Sequence, residues 1–328
     1  MPEGHSVHRI ARQFRVNFLD QPLAVSSPQG RFAAGAAQLD GRQMTDVFAV
    51  GKQMFADFGE GLWLRVHLGL YGAWDFAGDI TTDPTIASAA GRMGQTNQRG
   101  TELAPHLVDA DGEDSVSSIG APRRARVRMS EQTKELASEE YPPPPVGQVR
   151  VRLMTPRQLA DLRGPTACEV IDPARVEMQI AKLGPDPLVG DPAEGEERFT
   201  RAVLKTRTPI GLLLMDQKVV SGIGNVYRAE MLFRARLNPY RPGNTIPETI
   251  VRELWRDWCH LLVIGVEVGQ MLTIDGLEGD AYVAAMASRE DRHWVYKREG
   301  LPCLECGTHI TLEEMGARKL YWCPSCQR

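Results

Sequence analysis

Two cysteine pairs, Cys303-x2-Cys306 and Cys323-x2-Cys326, stand sixteen residues apart near the C-terminal end and constrain this chain more than any other feature. That spacing suits two thiolate hairpins closing on one tetrahedral Zn2+, and a module of about 35 residues has too small a core to fold without such a staple. All-thiolate zinc is therefore expected here in preference to disulfides or free thiols. Four thiolates fill the coordination shell, so the expected metal is structural and offers no open position for chemistry. Cys168 and Cys259 are isolated and read as ordinary small residues.

The rest of the chain is long enough for about two further domains. From Val7, the apolar positions Val7, Ile10, Ala11, Phe14 and Phe18 form a helical stripe. Short extended runs follow at 46–50, 53–58, 62–68 and 73–76, punctuated by Gly51, Gly59, Gly61, Gly69 and Gly72, as in an antiparallel sheet. Between 78 and 145 the pattern gives way to small and charged residues ending in Pro142–Pro145, and extended pattern resumes at 148–154. Such a segment buries too little apolar surface to offset its ordering entropy, so it is expected to be a disordered insertion within one domain. A turn-rich break at Leu183–Leu188 precedes helical periodicity from Arg198 to Gly269, and 272–292 reads as an irregular loop.

The expected fold class is thus multi-domain α+β: an N-terminal helix with an antiparallel β-sandwich (1–180), a linker (181–192), a helical domain (193–290) and a four-cysteine zinc ribbon (291–328). The first residues lack an apolar signal core, and nowhere do about 18 apolar residues run together, so a cytoplasmic protein without membrane partners is expected.

The net charge of −4 alone argues against a nucleic-acid partner. Its source is local, because residues 77–145 hold seven Lys/Arg against eleven Asp/Glu and the remainder balances at 31 of each. A neutral remainder neither predicts nor forbids DNA binding, which depends on where cations cluster. Within the insertion, Arg123-Arg124-Ala125-Arg126-Val127-Arg128 either tracks a DNA backbone or forms a solvated patch, and the second reading is preferred.

Three segments taken together carry a resemblance: the opening Met1-Pro2-Glu3-Gly4-His5, the stretch Ser221-Gly222-Ile223-Gly224-Asn225-Val226-Tyr227, and the closing Tyr321-Trp322-Cys323-Pro324-Ser325-Cys326-Gln327. They resemble the formamidopyrimidine-DNA glycosylase/endonuclease VIII (Fpg/Nei) family of bifunctional DNA glycosylases and AP lyases over nearly the whole chain outside 78–145. His67-Leu68-Gly69-Leu70-Tyr71-Gly72 and the opening are most similar to the actinobacterial endonuclease VIII-like branch.

The resemblance implies base-excision repair of damaged DNA, and the helical domain then becomes a helix-two-turns-helix domain. Removal of Met1 would expose the secondary amine of Pro2 as nucleophile, with an α-amino pKa near the reference of about 8 leaving a usable neutral fraction. Glu3 would serve as acid/base carboxylate, Lys52 as phosphate contact and proton donor, and Arg318 as the zinc-hairpin clamp on phosphates. Asn225 and His67 would contact phosphate, while Leu70 and Tyr71 would fill the stack vacated by an extruded nucleotide. DNA would lie in a cleft where Pro2, Glu3, Lys52 and Arg318 converge.

Each residue also has a plainer reading. A Pro-Glu start suits a helix N-terminus, Lys52 and Arg318 suit solvent, Gly222 to Asn225 suits a connection, and Leu70-Tyr71 suits a turn packed on its own sheet. Gly69 departs from the polar residue of the better-known endonuclease VIII loop, which leaves opposite-base preference open. No 8-oxoguanine-capping loop is recognisable from Gly269 to Tyr282, so oxidised pyrimidines are the expected substrates and 8-oxoguanine the alternative. A noncatalytic damage-binding protein is the competing class, but would have no need of the Pro2/Glu3 pair. A monomer is expected.

Overall fold

The computed structural model describes residues 2–81, 118–120, 141–288 and 291–328. The described residues fall into two compact units, the first comprising residues up to Ile180 together with Val266–Gln270, and the second the remainder.

In the first unit, helix α1 (Gly4–Phe18) is followed by strand β1 (Ala24–Ser26), the short helix α2 (Ala33–Leu39) and four strands: β2 (Asp46–Val50), β3 (Gln53–Asp57), β4 (Trp63–His67) and β5 (Ala73–Gly78). Strand β6 (Ser118–Gly120) precedes β7 (Val149–Met154), β8 (Gln158–Arg163), β9 (Ala167–Ile171) and helix α3 (Pro173–Ala181). The strands make a five-stranded sheet ordered β1-β7-β8-β5-β6 and a four-stranded sheet ordered β2-β3-β4-β9, with antiparallel pairing throughout.

Alternation sets which face of each strand is buried: Val47 and Ala49, Met54 and Ala56, and Leu64 and Val66 enter one core with Trp74, Phe76, Val151, Leu153, Ala160 and Leu162 of the other sheet. The helical stripe Val7, Ile10, Ala11, Phe14 and Phe18 joins that core. Phe14 meets Trp74 edge-on at 4.8 Å and Phe76 at 5.4 Å. Arg9, on another face of α1, donates to the carbonyl of Val266 at 2.6 Å, and Gly269 (φ +76°) leaves room for its guanidinium.

Most of 78–145, including Arg123–Arg128, lies outside the described residues. Its described parts correct the reading of an insertion without structure. Ser118–Gly120 pairs with Ala73–Asp75 as β6, and Ile119 is fully buried. Tyr141 donates its hydroxyl to the Thr155 carbonyl at 2.8 Å. Arg152 grips Asp161 with two bonds of 2.8 Å and also donates to the Pro143 carbonyl at 2.8 Å, while Arg163 reaches the Val146 carbonyl at 2.8 Å. Charges buried in the sheet thus hold the proline-rich return segment.

In the second unit, Asp191 caps α4 (Pro192–Leu204) by accepting from the Ala193 amide, with Pro192 at the first helical position. Short α5 (Ile210–Leu213), α6 (Asn225–Arg234), α7 (Glu248–Val268) and α8 (Gly279–Ala287) follow. Gly195 lets α4 approach Trp255 of α7, since a Cβ there would lie 2.4 Å from the indole. Helix α8 corrects the reading of 272–292 as wholly irregular. Its apolar run lacks a marked polar face, so periodicity gave no sign of it. The chain closes with the hairpin β10 (Thr311–Glu314) and β11 (Lys319–Trp322).

Candidate active site and nucleic-acid interface

In the first unit, Pro2 is buried and Glu3 is the N-cap of α1. Glu3 performs that office with its backbone alone, its carbonyl accepting from the Ser6 amide at 3.0 Å while its side chain makes no capping bond. A carboxylate with no accessible surface that does not cap its helix is poorly explained by helix-start preferences, which favour Ser, Thr, Asp or Asn at this position.

His5 lies one turn into the same helix and is fully buried. Burial pushes its imidazole well towards the neutral form, and Arg9, His8 and Lys52 push the same way. Lys52 is therefore near enough to act on the same imidazole.

Lys52 owes its position to the hairpin between β2 and β3. Val50 pairs with Gln53, leaving a two-residue loop of Gly51 and Lys52. Gly51 takes φ +57° and Lys52 does not share the positive φ, the pattern of a type II′ turn whose first central residue is glycine. His67 ends β4 opposite Gln53, and burial, Arg65 and then Lys52 lower its pKa. Arg65, two residues earlier on the same face, bonds Gln53 and Glu169.

Between β4 and β5, the Gly72 amide closes on the Leu68 carbonyl at 3.0 Å. Gly69 adopts φ +67°, and a Cβ there would fall 1.8 Å from the Thr166 hydroxyl. This tight turn projects Leu70 and Tyr71, which are 50% and 59% exposed, so the reading of a turn packed on its own sheet fails.

In the second unit, the turn before α6 is clamped from several sides. Ser221 donates through its hydroxyl to Gly184 at 2.7 Å and through its amide to Pro185 at 3.0 Å. Gln217 receives the Gly222 amide at 3.0 Å and donates to Ile223 at 3.0 Å, while Gly222 supplies φ +91°. Asn225 opens α6, its amide donating to the Lys319 carbonyl at 2.8 Å and accepting from Arg228 at 2.5 Å. Arg228 also donates to Lys319 at 2.9 Å. Helix and zinc hairpin are thereby joined through one buried polar set.

Arg318 is exposed at the hairpin's tip, where Gly316 and Ala317 both have positive φ and the Met315 amide bonds the Arg318 carbonyl at 2.9 Å. The buried Met315 side chain rests on Gly211, where a Cβ would meet its sulphur at 2.7 Å. The hairpin backbone is thus held on either side of its tip, at Met315 and at Lys319, with Arg318 between them.

The sulphurs of Cys303, Cys306, Cys323 and Cys326 lie within 4.8 Å of one another, with Cys303–Cys326 at 3.9 Å and Cys306–Cys323 at 3.5 Å. A tetrahedral zinc with bonds of about 2.3 Å requires sulphur–sulphur edges of roughly 3.8 Å, so the donor set and its spacing fit Zn2+. Gln327 fastens the last knuckle by accepting from the Cys323 amide at 2.8 Å and donating to the Leu237 carbonyl at 3.1 Å.

One residue central to this support had escaped sequence reading. Glu230, fully buried on α6, accepts from the amides of Trp294, Val295 and Tyr296 at 2.7, 2.9 and 2.8 Å and from the Thr273 hydroxyl at 2.5 Å. Burial pushes its pKa up, against the pull of those four donors. The only sequence signal was an acid inside the apolar run Val226–Phe233.

Three family models match in chain order: the formamidopyrimidine-DNA glycosylase N-terminal domain over residues 1–160, its H2TH domain over 183–275, and a zinc finger found in FPG and IleRS over 300–328. Endonuclease 8 1 of Mycobacterium tuberculosis (strain ATCC 25618 / H37Rv) is 37% identical over 329 residues, covering all of both chains. The chain belongs to the Fpg/Nei family.

Other members are similar over part of the chain or in fold. The formamidopyrimidine-DNA glycosylase of Thermus thermophilus is 36% identical over 155 residues, 45% of this chain and 54% of that one. The crystal structure of the Thermus thermophilus MutM (Fpg) protein matches 99% of this chain and 98% of its own, with a TM-score of 0.64 and 25% identity. A Lactococcus lactis Fpg bound to DNA containing an oxidised pyrimidine shares the fold, at a TM-score of 0.67 and 18% identity over the full length of both. As an Fpg/Nei protein the chain is an enzyme of the bifunctional DNA glycosylase/AP lyase type, with the family's sandwich, H2TH and zinc-ribbon parts. Among the described residues, no helix is long and apolar enough to cross a membrane.

Proposed function

We propose that this Fpg/Nei enzyme removes oxidised bases from DNA and cuts the resulting abasic site, with Pro2 as nucleophile after loss of Met1. The observation that carries this reading is the head of α1: Pro2 and Glu3 are adjacent and buried, Glu3 does not spend its carboxylate on capping, and Lys52 lies near enough to act on His5 in the same first turn.

The neutral Pro2 nitrogen attacks sugar C1′ and the damaged base leaves with the electrons of its glycosidic bond. The attacking nitrogen loses its proton, and the C1′–O4′ bond breaks as Glu3 protonates O4′, leaving an iminium between Pro2 and C1′. This fixed cation withdraws electrons from C2′, whose proton is then lost as the 3′ phosphate departs. Elimination of the 5′ phosphate follows, and water releases Pro2 from the sugar fragment. Lys52 donates a proton in the first elimination, and Arg318 holds the flanking phosphates and assists the second. The four cysteines would hold a zinc that supplies structure to the Arg318 hairpin.

Asn225, at the head of α6, and His67, at the end of β4, are assigned phosphate contacts. Leu70 and Tyr71 are assigned the vacated stack, as their exposure on a glycine-built turn supports. Oxidised pyrimidines are the favoured lesions, because only 269–278 separates α7 from α8, which leaves little chain for a capping loop. The proposed domains are 1–180, 193–290 and 291–328 joined by linker 181–192, in a cytoplasmic monomer that engages damaged DNA.

The test is a gel assay on duplexes carrying thymine glycol, 8-oxoguanine or an abasic site. The expected products bear phosphate on both sides of the gap, thymine glycol is cut faster than 8-oxoguanine, and Pro2→Gly removes cleavage. Faster cutting of 8-oxoguanine would reverse the lesion assignment. Specific binding without cleavage would instead establish a noncatalytic damage-binding protein.

A further inference from the structure

The turn that projects Leu70 and Tyr71 does not stand alone. The turn between β8 and β9, Gly164-Pro165-Thr166, is packed against it at both ends. Gly164, at φ +58°, comes so close to Tyr71 that a Cβ would meet the Tyr71 carbonyl oxygen at 2.8 Å. Thr166 lies against Gly69, and its amide donates to the His67 carbonyl at 2.9 Å. Either side of this second turn is anchored: Arg163, buried just before it, bonds Asp75 and donates to the Val146 carbonyl at 2.8 Å, and Ala167, just after it, pairs with His67.

Pro165 is buried, but Thr166 is exposed, and among the described residues its hydroxyl makes no hydrogen bond. That hydroxyl stands in the space a side chain at position 69 would fill, since a Cβ there would overlap it. Gly69 brings no polar side-chain atom of its own, and the second turn delivers one to the same place. Leu70 begins one Cα step further on, about 3.8 Å away.

When Leu70 and Tyr71 occupy a vacated stack, the base on the other strand has lost its partner and turns its pairing edge towards the root of the wedge. A polar edge shut off from water costs free energy unless a donor or acceptor meets it. A threonine hydroxyl carries one donor and two acceptor sites and rotates to use either, so it can answer the pairing edge of any of the four bases. A carboxamide or guanidinium in that place would hold its groups in a fixed pattern and choose among them.

We infer that Thr166 is the residue that meets the base opposite the lesion, and that its hydroxyl makes this enzyme tolerant of all four opposite bases. Resting on the placement of Leu70 and Tyr71 in the vacated stack, this gives Thr166 a role that a hydroxyl merely supporting the turn could not have. Its effect depends on what the other strand carries.

The test uses full-length zinc-loaded protein on duplexes with one abasic site opposite A, C, G or T, and on a duplex whose opposite position carries a tetrahydrofuran spacer and no base. The unaltered protein is expected to cut the four base-bearing duplexes with kcat/KM values within about fivefold of one another, where a bidentate contact would separate them by about tenfold or more. Thr166→Val, which keeps the shape and removes the hydroxyl, should lower all four by roughly two- to tenfold, and Thr166→Ser should restore them. Cutting of the spacer duplex should be the same in all three proteins, which also shows that the variants have folded. Discrimination beyond about tenfold by the unaltered protein, undiminished cutting by Thr166→Val, or an equal loss on the spacer duplex would overturn the assignment. Should the unaltered protein cut none of the duplexes, the catalytic reading falls by itself. Affinities for the same set with tetrahydrofuran in place of the abasic site, compared between the unaltered protein and Thr166→Val, then decide the role of Thr166 in the same way.

Discussion

At the scale of single residues, the two most informative acids are buried and do different work. Glu3 stands at a helix start yet leaves capping to its backbone, whereas Glu230 is surrounded by donors and stabilises the approach to the zinc module. Glu230→Gln retains the shape but places an NH2 group where donors converge. Loss of accepting capacity should cost about 1–3 kcal/mol, read as a lower denaturant midpoint, and should speed zinc release to a chromogenic chelator. An unchanged midpoint would show that the four bonds contribute no net stability. His5 gives a pH test, since its folded pKa lies below its ordinary value of 6.5. The unfolded chain then binds the extra proton, so stability is full above about pH 6.5 and is lost as pH falls below it. Thermal melts should show a shallower acid loss in His5→Asn than in the unaltered protein, and parallel profiles would contradict that assignment.

At the scale of elements, turns carry several of the proposed functional side chains, and glycine makes those turns. Tyr71→Ala should change stability by less than about 0.5 kcal/mol, because the ring is largely exposed, yet slow cleavage of lesion duplexes markedly. Gly69→Ala should impair both, because its Cβ cannot share space with Thr166 and its φ is positive. Equal loss of cleavage and stability in Tyr71→Ala would return the ring to a packing role. These elements were legible to different degrees. Hairpin strands β2 to β5 and helix α1 announce themselves because apolar residues recur along them between glycine-marked turns or at helical spacing. The ribbon does so through cysteine spacing. Strand β6 and helix α8 did not, since three residues are too short for a period and an evenly apolar helix has no polar face. Asn225 was visible in a motif, but its link to Lys319 depends on a residue some ninety positions away, which no local pattern encodes.

At the scale of the whole molecule, both units have buried apolar cores, and the zinc ribbon is the part with the least apolar support of its own. The first rests on one large apolar core shared by two sheets and α1, while the ribbon of the second adds only a small cluster around Val295, Ile310 and Tyr321. Chelation of zinc should therefore lower the melting of the second unit and leave that of the first in place, seen as two separated calorimetric transitions. A common shift of both would show the units to unfold as one. The negative overall charge obscured the function at this scale, because the excess acid falls in 77–145 and the balanced remainder says nothing about where its cations lie. Order along the chain proved more informative than the sum, with the three family-bearing segments at the start, middle and end.

The central claim, a proline nucleophile, is tested most directly by borohydride trapping on an abasic duplex, using protein whose loss of Met1 has been verified by mass spectrometry. A reduced protein–DNA adduct that maps to the N-terminal peptide at Pro2, and disappears in Pro2→Gly, is the predicted result. An adduct mapping to Lys52 or another lysine, or none despite measurable binding of the duplex, would contradict the account.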